Sequence, residues 1–241
     1  MGLLKAIFYT PLYNGLVFLI DLLPWLDLGF VIILFTLLVK AILFPFSLKA
    51  ARTQALTKLH EDELNDIRND KNTPKEDQAR KILEFYKKYN INPFMGIAVV
   101  LVQIPIIFAL YYMIARSGLP IIDDSILYSF VDVPEKIRLA FLGLADVTGK
   151  SAILALVAAV TTYVQAHVMQ PKLDFNFTGS FKDDLPKTMA FQMKFIFPVI
   201  VFFISYSISG AIAIYWATSN TVAILQDIYI KRKVANQSAR T

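Results

Sequence analysis

One apolar run, LGFVIILFTLLVKAILFP at residues 28–45, constrains this chain more than any other feature. At roughly 1.5 Å of rise per residue, its about 18 residues nearly match a hydrocarbon core of roughly 30 Å, so the run reads as a transmembrane helix. Only Thr36 and Lys40 interrupt it. A charge near the bilayer centre costs roughly 2.5–3.5 kcal/mol on insertion scales, so its default place is against protein or water. Lys40 is therefore the first functional candidate. The alternative is that Lys40 snorkels to the interface, because Pro45 and a basic segment follow within a short distance. Thr36, Lys40 and Ser47 lie along one helical face, with Ile33, Leu37, Leu38 and Ile42 on the others. Such a polar stripe favours a lined cavity over snorkelling.

The rest of the composition agrees with a polytopic membrane protein. The 241 residues are 56% hydrophobic and only 18% charged, with the apolar residues gathered in long runs. The absence of cysteine excludes disulfides, cysteine zinc sites, iron–sulfur clusters and a cysteine nucleophile. His60 and His167 are too distant in sequence to suggest a metal site, and no metal or other cofactor is expected. A net charge of +5 is the usual result of basic cytosolic loops facing anionic lipid, and nucleic acid is not expected as a partner.

Along the chain, residues 1–27 hold an apolar stretch broken by Asn14, Asp21 and Pro24, which suits an interfacial amphipathic helix better than a span, with Trp25 in the aromatic belt. The first span covers residues 28–47. Residues 48–92 then lack a spanning run and read as a water-facing helical hairpin. Leu48, Ala51, Ala55, Leu56, Leu59, Leu64 and Ile67 lie at helical spacing in its first arm, and Ile82, Leu83 and Phe85 to Tyr89 in its second. Between the arms, Thr73-Pro74-Lys75-Glu76 has the pattern of a capping box with Pro at the first helical position, which makes residues 70–72 the turn. Glu76 with Arg80, Asp77 with Lys81 and Glu84 with Lys88 are expected as four-apart pairs, each contributing roughly 0.2–0.5 kcal/mol.

A second span follows at residues 93–115, with Gln103 and a helix-kinking Pro105 inside it. Residues 116–150 form a mixed loop, residues 151–169 the third span and residues 170–188 a polar loop carrying Lys172, Lys182 and Lys187. Residues 189–206 form the fourth span. The turn from Ser207 to Gly210 is so short that the fifth span, residues 211–230, must return antiparallel before a short basic tail at 231–241. The hairpin, the second polar loop and the tail hold most of the Lys and Arg, which places them in the cytosol, stroma or matrix and the amino terminus outside. An odd number of spans disfavours the paired inverted repeats of many secondary transporters.

No nucleophile, base and orienter combination appears at membrane depth, and no catalytic residue is assigned. Asp227, near the end of a span, is the one acidic residue in the span interiors, although proton-coupled transport would want a carboxylate deep in the membrane. The spans instead offer uncharged polarity: Thr36, Gln103, Thr161, Thr162, Gln192, Thr218, Ser219, Asn220 and Gln226. In the fifth span Tyr215, Ser219 and Gln226 fall on nearly one face, with Trp216, Asn220 and Asp227 on the adjacent one. For any single Ser, Thr or Asn, a helix–helix hydrogen bond is the plainer reading. Taken with Lys40, they point to a hydrated groove with a positive centre. The expected fold is all-α, five transmembrane helices around that groove with a cytosolic helical hairpin between the first and second spans.

Three stretches, LLVKAILFPFSLKAARTQ, NPFMGIAVVLVQIPIIFALYYMI and IYWATSNTVAILQDIYIKR, resemble the YidC, Oxa and Alb membrane protein insertases. The resemblance runs from Phe8 to Lys233. It implies a groove open to cytosol and lipid and closed outside, in which a cation attracts the hydrophilic extracytosolic part of a substrate. Lys40, Thr36, Gln103, Tyr215, Trp216, Ser219 and Asn220 are its candidate lining. Lys40 stands where the family typically has arginine, and lysine, unlike arginine, can lose its proton on desolvation, so Lys40 serves as a cation only in a wet groove. The implied partners are nascent membrane proteins, the lipid bilayer, the Sec translocon and the targeting machinery, in a bacterial plasma (inner) membrane. Ribosome contact is expected to be weak, because the chain ends at Thr241 where some family members carry long basic tails. The alternatives are a small transporter or channel with Lys40 as an anion site, and a structural assembly factor.

Overall fold

The structure is a computed structural model that describes residues 5–238 apart from 71–72, 93, 114–120, 144 and 170–187, and leaves undescribed the side chains of 69, 96–102 and 234–238. The expected cytosolic loop at 170–187, with Lys172, Lys182 and Lys187, thus lies outside the described residues. The regular structure among the described residues is helical but for one two-stranded ribbon. Its helices are α1 (Thr10–Leu22), α2 (Leu28–Leu59), α3 (Glu61–Asn69), α4 (Lys75–Lys88), α5 (Met95–Tyr111), α6 (Ala152–Met169), α7 (Thr188–Ile208) and α8 (Gly210–Ser238). Strands β1 (Ala140–Phe141) and β2 (Ala145–Asp146) pair antiparallel. Among the described residues α2, α6 and α7 are long and apolar enough to cross a membrane. The chain divides into two compact units, residues 1–42 with 102–224 and residues 43–101 with 225–241.

In the first unit, α1 begins with Pro11 in its first turn, where a missing N–H does no harm, and runs for 13 residues. That is about 20 Å, short of a hydrocarbon core. Tyr13, Leu16, Val17 and Ile20 recur at helical spacing and are buried. Asn14, which in the sequence merely interrupts an apolar stretch, is a staple: its Nδ2 donates to Ile126 O at 2.9 Å and its Oδ1 accepts from Tyr128 N at 2.6 Å. The Tyr13 hydroxyl likewise accepts from Asp123 N at 2.7 Å.

The loop around the ribbon also satisfies helix starts, whose first amides have no partner within the helix. Leu28 N at the start of α2 donates to Arg138 O at 2.8 Å, and Gly210 N and Ala211 N at the start of α8 donate to Gly149 O and Val147 O at 2.8 and 2.7 Å. Positive φ at Leu142 and Gly143 reverses the chain between the strands. Helices α6, α7 and α8 meet at Ala158, Val201 and Ala213, all fully buried. Small residues on two of the three let the backbones approach closely, as helices do where lipid offers no hydrophobic drive.

In the second unit, the change of composition after Pro45 is not a helix boundary. Pro45 removes one donor, but α2 continues to Leu59 because LKAARTQALTKL is made largely of strong helix formers. Ala51 and Ala55 then pack with Ile230 of α8. Leu64 of α3 and Phe85 of α4 pack with Ile91, flanked by Ile67, Ile82, Tyr86 and Tyr89, as the helical spacing requires. Gln78 closes the arms by donating its amide to Ile67 O and Arg68 O at 2.8 and 2.7 Å, which satisfies last-turn carbonyls of α3.

The capping box does not form. Pro74 is extended, with ψ 146, and itself occupies the cap position, while the Thr73 hydroxyl bonds to Asp70 and Lys81. The ion pairs also differ from the three expected, although one of them is again four apart. Arg80 pairs with Glu84, Lys81 with Asp70, and Lys88 reaches Glu63 on the other arm at 2.8 Å. Pairs along an exposed helix are worth so little that partners across the turn and the hairpin take Lys81 and Lys88 instead.

The bonds from Lys88 and then Tyr89 hold the Glu63 carboxyl below its ordinary value, and the bond to Glu63 raises Lys88 to about 12. A lowered carboxylate contributes stability above its unfolded pKa of about 4.3 and loses it as pH falls through the lowered value. A raised lysine contributes below about 10.4 and loses it as pH rises through the raised value. Glu63→Gln is therefore expected to speed hydrogen exchange of α3 and α4 amides at neutral pH, and the difference from the wild type should close under acid. Equal exchange at neutral pH would show that the bridge carries no stability.

Candidate functional site

Lys40 lies 12 positions into α2, about 18 Å along the axis from the Leu28 start, which is near the middle of a hydrocarbon core of roughly 30 Å. It is half-buried. Its Nζ donates to Gln103 Oε1 on α5 at 3.5 Å. Gln103 in turn donates its Nε2 to the Tyr215 hydroxyl on α8, and Ser219, one turn further on α8, hydrogen-bonds the same phenol. Four side chains from three helices thus form one polar line.

Among the described residues no carboxylate pairs with Lys40, and Gln103 is its one polar partner. The ammonium has three donors, and a 3.5 Å bond to a neutral amide satisfies one of them weakly. Charges at such depth ordinarily face one another or water. What this arrangement can do chemically is hold water or an anionic group beside Lys40, with Gln103 fixed from behind by Tyr215.

The other candidates are placed differently. Thr36 is fully buried and donates to Ile32 O of its own helix at 2.6 Å. Asn220 donates to Thr162 and Thr161 on α6 at 2.8 and 3.3 Å, a helix–helix hydrogen bond of the plainer kind. Trp216 is half-buried and meets Phe197 edge-on, with ring centroids 6.3 Å apart, beside the α6–α7–α8 contact. Ser47 and Gln226 belong to the second unit, where Gln226 Nε2 donates to Ser47 Oγ at 2.8 Å. The polar stripe read from α2 therefore serves three separate purposes.

Sequence reasoning passed over Lys194. It lies within the apolar α7, on a π-helical turn from Gln192 to Ile196, and is buried. A charge inside an apolar run was the signal that singled out Lys40, and it was equally present here. The carboxylate of Asp227 is also fully buried, paired with Lys231 one turn on.

Helices of this length and apolarity, one of them carrying a lysine well inside its apolar run, are those of an all-α membrane protein. The profile of the 60Kd inner membrane protein family matches residues 20–237, and the chain belongs to that family. It is 29% identical over 217 residues, 90% of this chain and 87% of the relative, to a protein of Clostridium tetani named "Membrane protein insertase YidC". A Fusobacterium nucleatum protein of the same name is 27% identical over 209 residues, 87% of this chain and 88% of the relative. A Bacillus cereus protein named "Membrane protein insertase YidC 1" is 27% identical over 237 residues, 96% of this chain and 82% of the relative.

Proposed function

We propose that this protein is a membrane protein insertase and chaperone that receives the polar part of a nascent membrane protein in a wet, positively charged groove around Lys40 and releases its apolar segment into lipid. The observation that carries this reading is a mid-depth cation whose one described partner is a neutral amide. Lys40, Gln103, Tyr215 and Ser219 are the polar wall of the groove. Trp216 and Asn220 hold the helices that carry it, and Thr36 is buried on α2 one turn before Lys40. The five spans are α2, α5, α6, α7 and α8, with the α3–α4 hairpin and the carboxyl terminus cytosolic and the amino terminus outside. The charge distribution along the sequence supports that orientation. A cysteine at Asn69 should then label from the cytosolic side and one at Ser125 from the other; labelling from the same side would reverse or break the topology.

The mechanism lowers a single cost. A substrate charge at the bilayer centre is unfavourable by roughly 2.5–3.5 kcal/mol on insertion scales. A cation about 4 Å away at an effective dielectric near 20 offsets roughly 4 kcal/mol, which is the same order. The driving force is the substrate's own. About 20 residues such as Leu, Ile, Phe or Val, at roughly 0.3–0.6 kcal/mol each, favour the bilayer by roughly 6–12 kcal/mol, so no nucleotide or metal is required. The Sec translocon and the targeting machinery are the proposed partners upstream.

Photo-crosslinking tests this reading. A photoreactive residue at position 40 or 103 should capture a stalled nascent chain through its polar extracytosolic part, whereas one at the exposed Val160 of α6 should capture that part far less. Equal capture at all three positions would mean that no groove is used.

A further inference from the structure

A pocket of about 250 Å³ opens in the second unit. One wall is the polar half of α2, with Lys49, Arg52 and Thr53, and the other is the connection from α4 to α5, with Tyr89, Asn90 and Asn92. Asn90 takes a positive φ of 53, which turns the chain back along the pocket. We propose that this pocket binds the phosphate headgroup of an anionic lipid.

The chemistry of the lining points to an anion. Lys49 and Arg52 are exposed, and neither pairs with a carboxylate among the described residues. No lining residue is acidic. The Glu63 carboxylate, hydrogen-bonded to Tyr89, is already held by Lys88 and the Tyr89 hydroxyl. Asn92 is oriented as a donor: its Oδ1 accepts from Phe94 N at 3.0 Å, which leaves its Nδ2 for a ligand. Two cations and amide donors without a competing carboxylate match a phosphodiester.

The position of the pocket points to lipid as the source. Along α2, Phe44 is still 45% exposed, as an apolar side chain facing lipid would be. Lys49 follows about 7 Å further along the axis, within a headgroup layer about 5–8 Å deep on each side of the hydrocarbon, and Arg52 lies less than one turn beyond it with a side chain long enough to reach back. The opposite wall changes character at the same place. Phe94, 71% exposed, comes two positions after Asn92, and Met95 opens the apolar α5. Both walls pass from apolar to polar at the pocket, as a surface does at the headgroup level. A lipid held there would pin the base of the hairpin to the bilayer.

The test uses the full chain in nanodiscs of equal parts phosphatidylglycerol and phosphatidylcholine, with native mass spectrometry of the lipid that remains bound. The wild type should retain phosphatidylglycerol in preference, and Lys49→Gln and Arg52→Gln should each lower that preference about fivefold. Lys75→Gln with Lys87→Gln removes twice the charge of either single variant from exposed positions of α4 outside the pocket and should change nothing. The exchange Lys49→Arg with Arg52→Lys keeps the charge and should keep the preference, which separates loss of binding from loss of fold. An equal fall in the Lys75/Lys87 variant would replace the site with diffuse attraction. Absence of a preference in the wild type would overturn the proposal. Displacement of phosphatidylglycerol by millimolar inorganic phosphate or by an acidic peptide would reassign the pocket to a soluble ligand.

Discussion

Lys40→Glu is expected to abolish insertion of substrates with acidic extracytosolic tails, Lys40→Ala to reduce it strongly, and Lys40→Arg to retain it. The order follows from charge alone. Between water and an effective dielectric near 20, a cation 4 Å from a carboxylate contributes roughly 1–4 kcal/mol, so removing it should slow such substrates on the order of tenfold or more. Reversing the sign turns attraction into repulsion of similar size. Substrates with neutral tails should respond much less, since for them the groove offers water rather than charge. A lysine that merely snorkelled would give Arg, Ala and Gln variants that behave alike. The neighbours sharpen the prediction. Gln103 is held by Tyr215, so Gln103→Leu removes the one described polar partner of Lys40 while leaving the cation in place. It should impair insertion less than Lys40→Ala does.

The second large effect is structural. Gly29, in the first turn of α2, lies under the ring of Phe141 in β1, and a Cβ there would come within 2.5 Å of Phe141 Cγ and 2.9 Å of its Cβ. The obstacle is the root of the side chain rather than its flexible end, so the ribbon itself must shift. Overpacking of this kind costs about 1–3 kcal/mol, and the ribbon that would move belongs to the loop that satisfies the first amides of α2 and α8. Gly29→Ala should therefore lower the thermal midpoint, and Gly29→Val more so. Combining Gly29→Ala with Phe141→Ala should recover part of the loss, a coupling that thermal unfolding of the four proteins would reveal. Strict additivity would show that the two residues do not oppose one another.

The helices long and apolar enough to cross a membrane, and the lysine inside one of them, were legible because both are matters of composition. An apolar run matched to bilayer thickness forms the same helix whatever surrounds it, and a lysine within it stands out. The family motifs likewise pointed to the family whose profile spans residues 20–237. What the sequence could not supply was the pairing of polar groups. Gln103 and Asn220 both read as polar residues in spans, yet one meets Lys40 and Tyr215 while the other ties α8 to α6. Nothing local distinguishes them, because the partner is set by how helices turn toward one another. Asn14 and Gln78 were passed over for the same reason, since each serves backbone groups far along the chain or on another helix. Pro45 and the Thr73 motif were misleading in the opposite sense. Strong helix formers after Pro45 carry α2 onward, and Asp70 with Lys81 claims the hydroxyl that the capping box needs.

The most direct test of the groove is insertion of a single-span substrate into proteoliposomes that contain only this protein, scored by protease protection, with the charge of the substrate's translocated tail varied. The account predicts protection above that of empty liposomes, falling in the Lys40→Ala protein most for the acidic tail and least for the neutral one. Protection no greater than in empty liposomes, or a Lys40→Ala defect independent of tail charge, would contradict it.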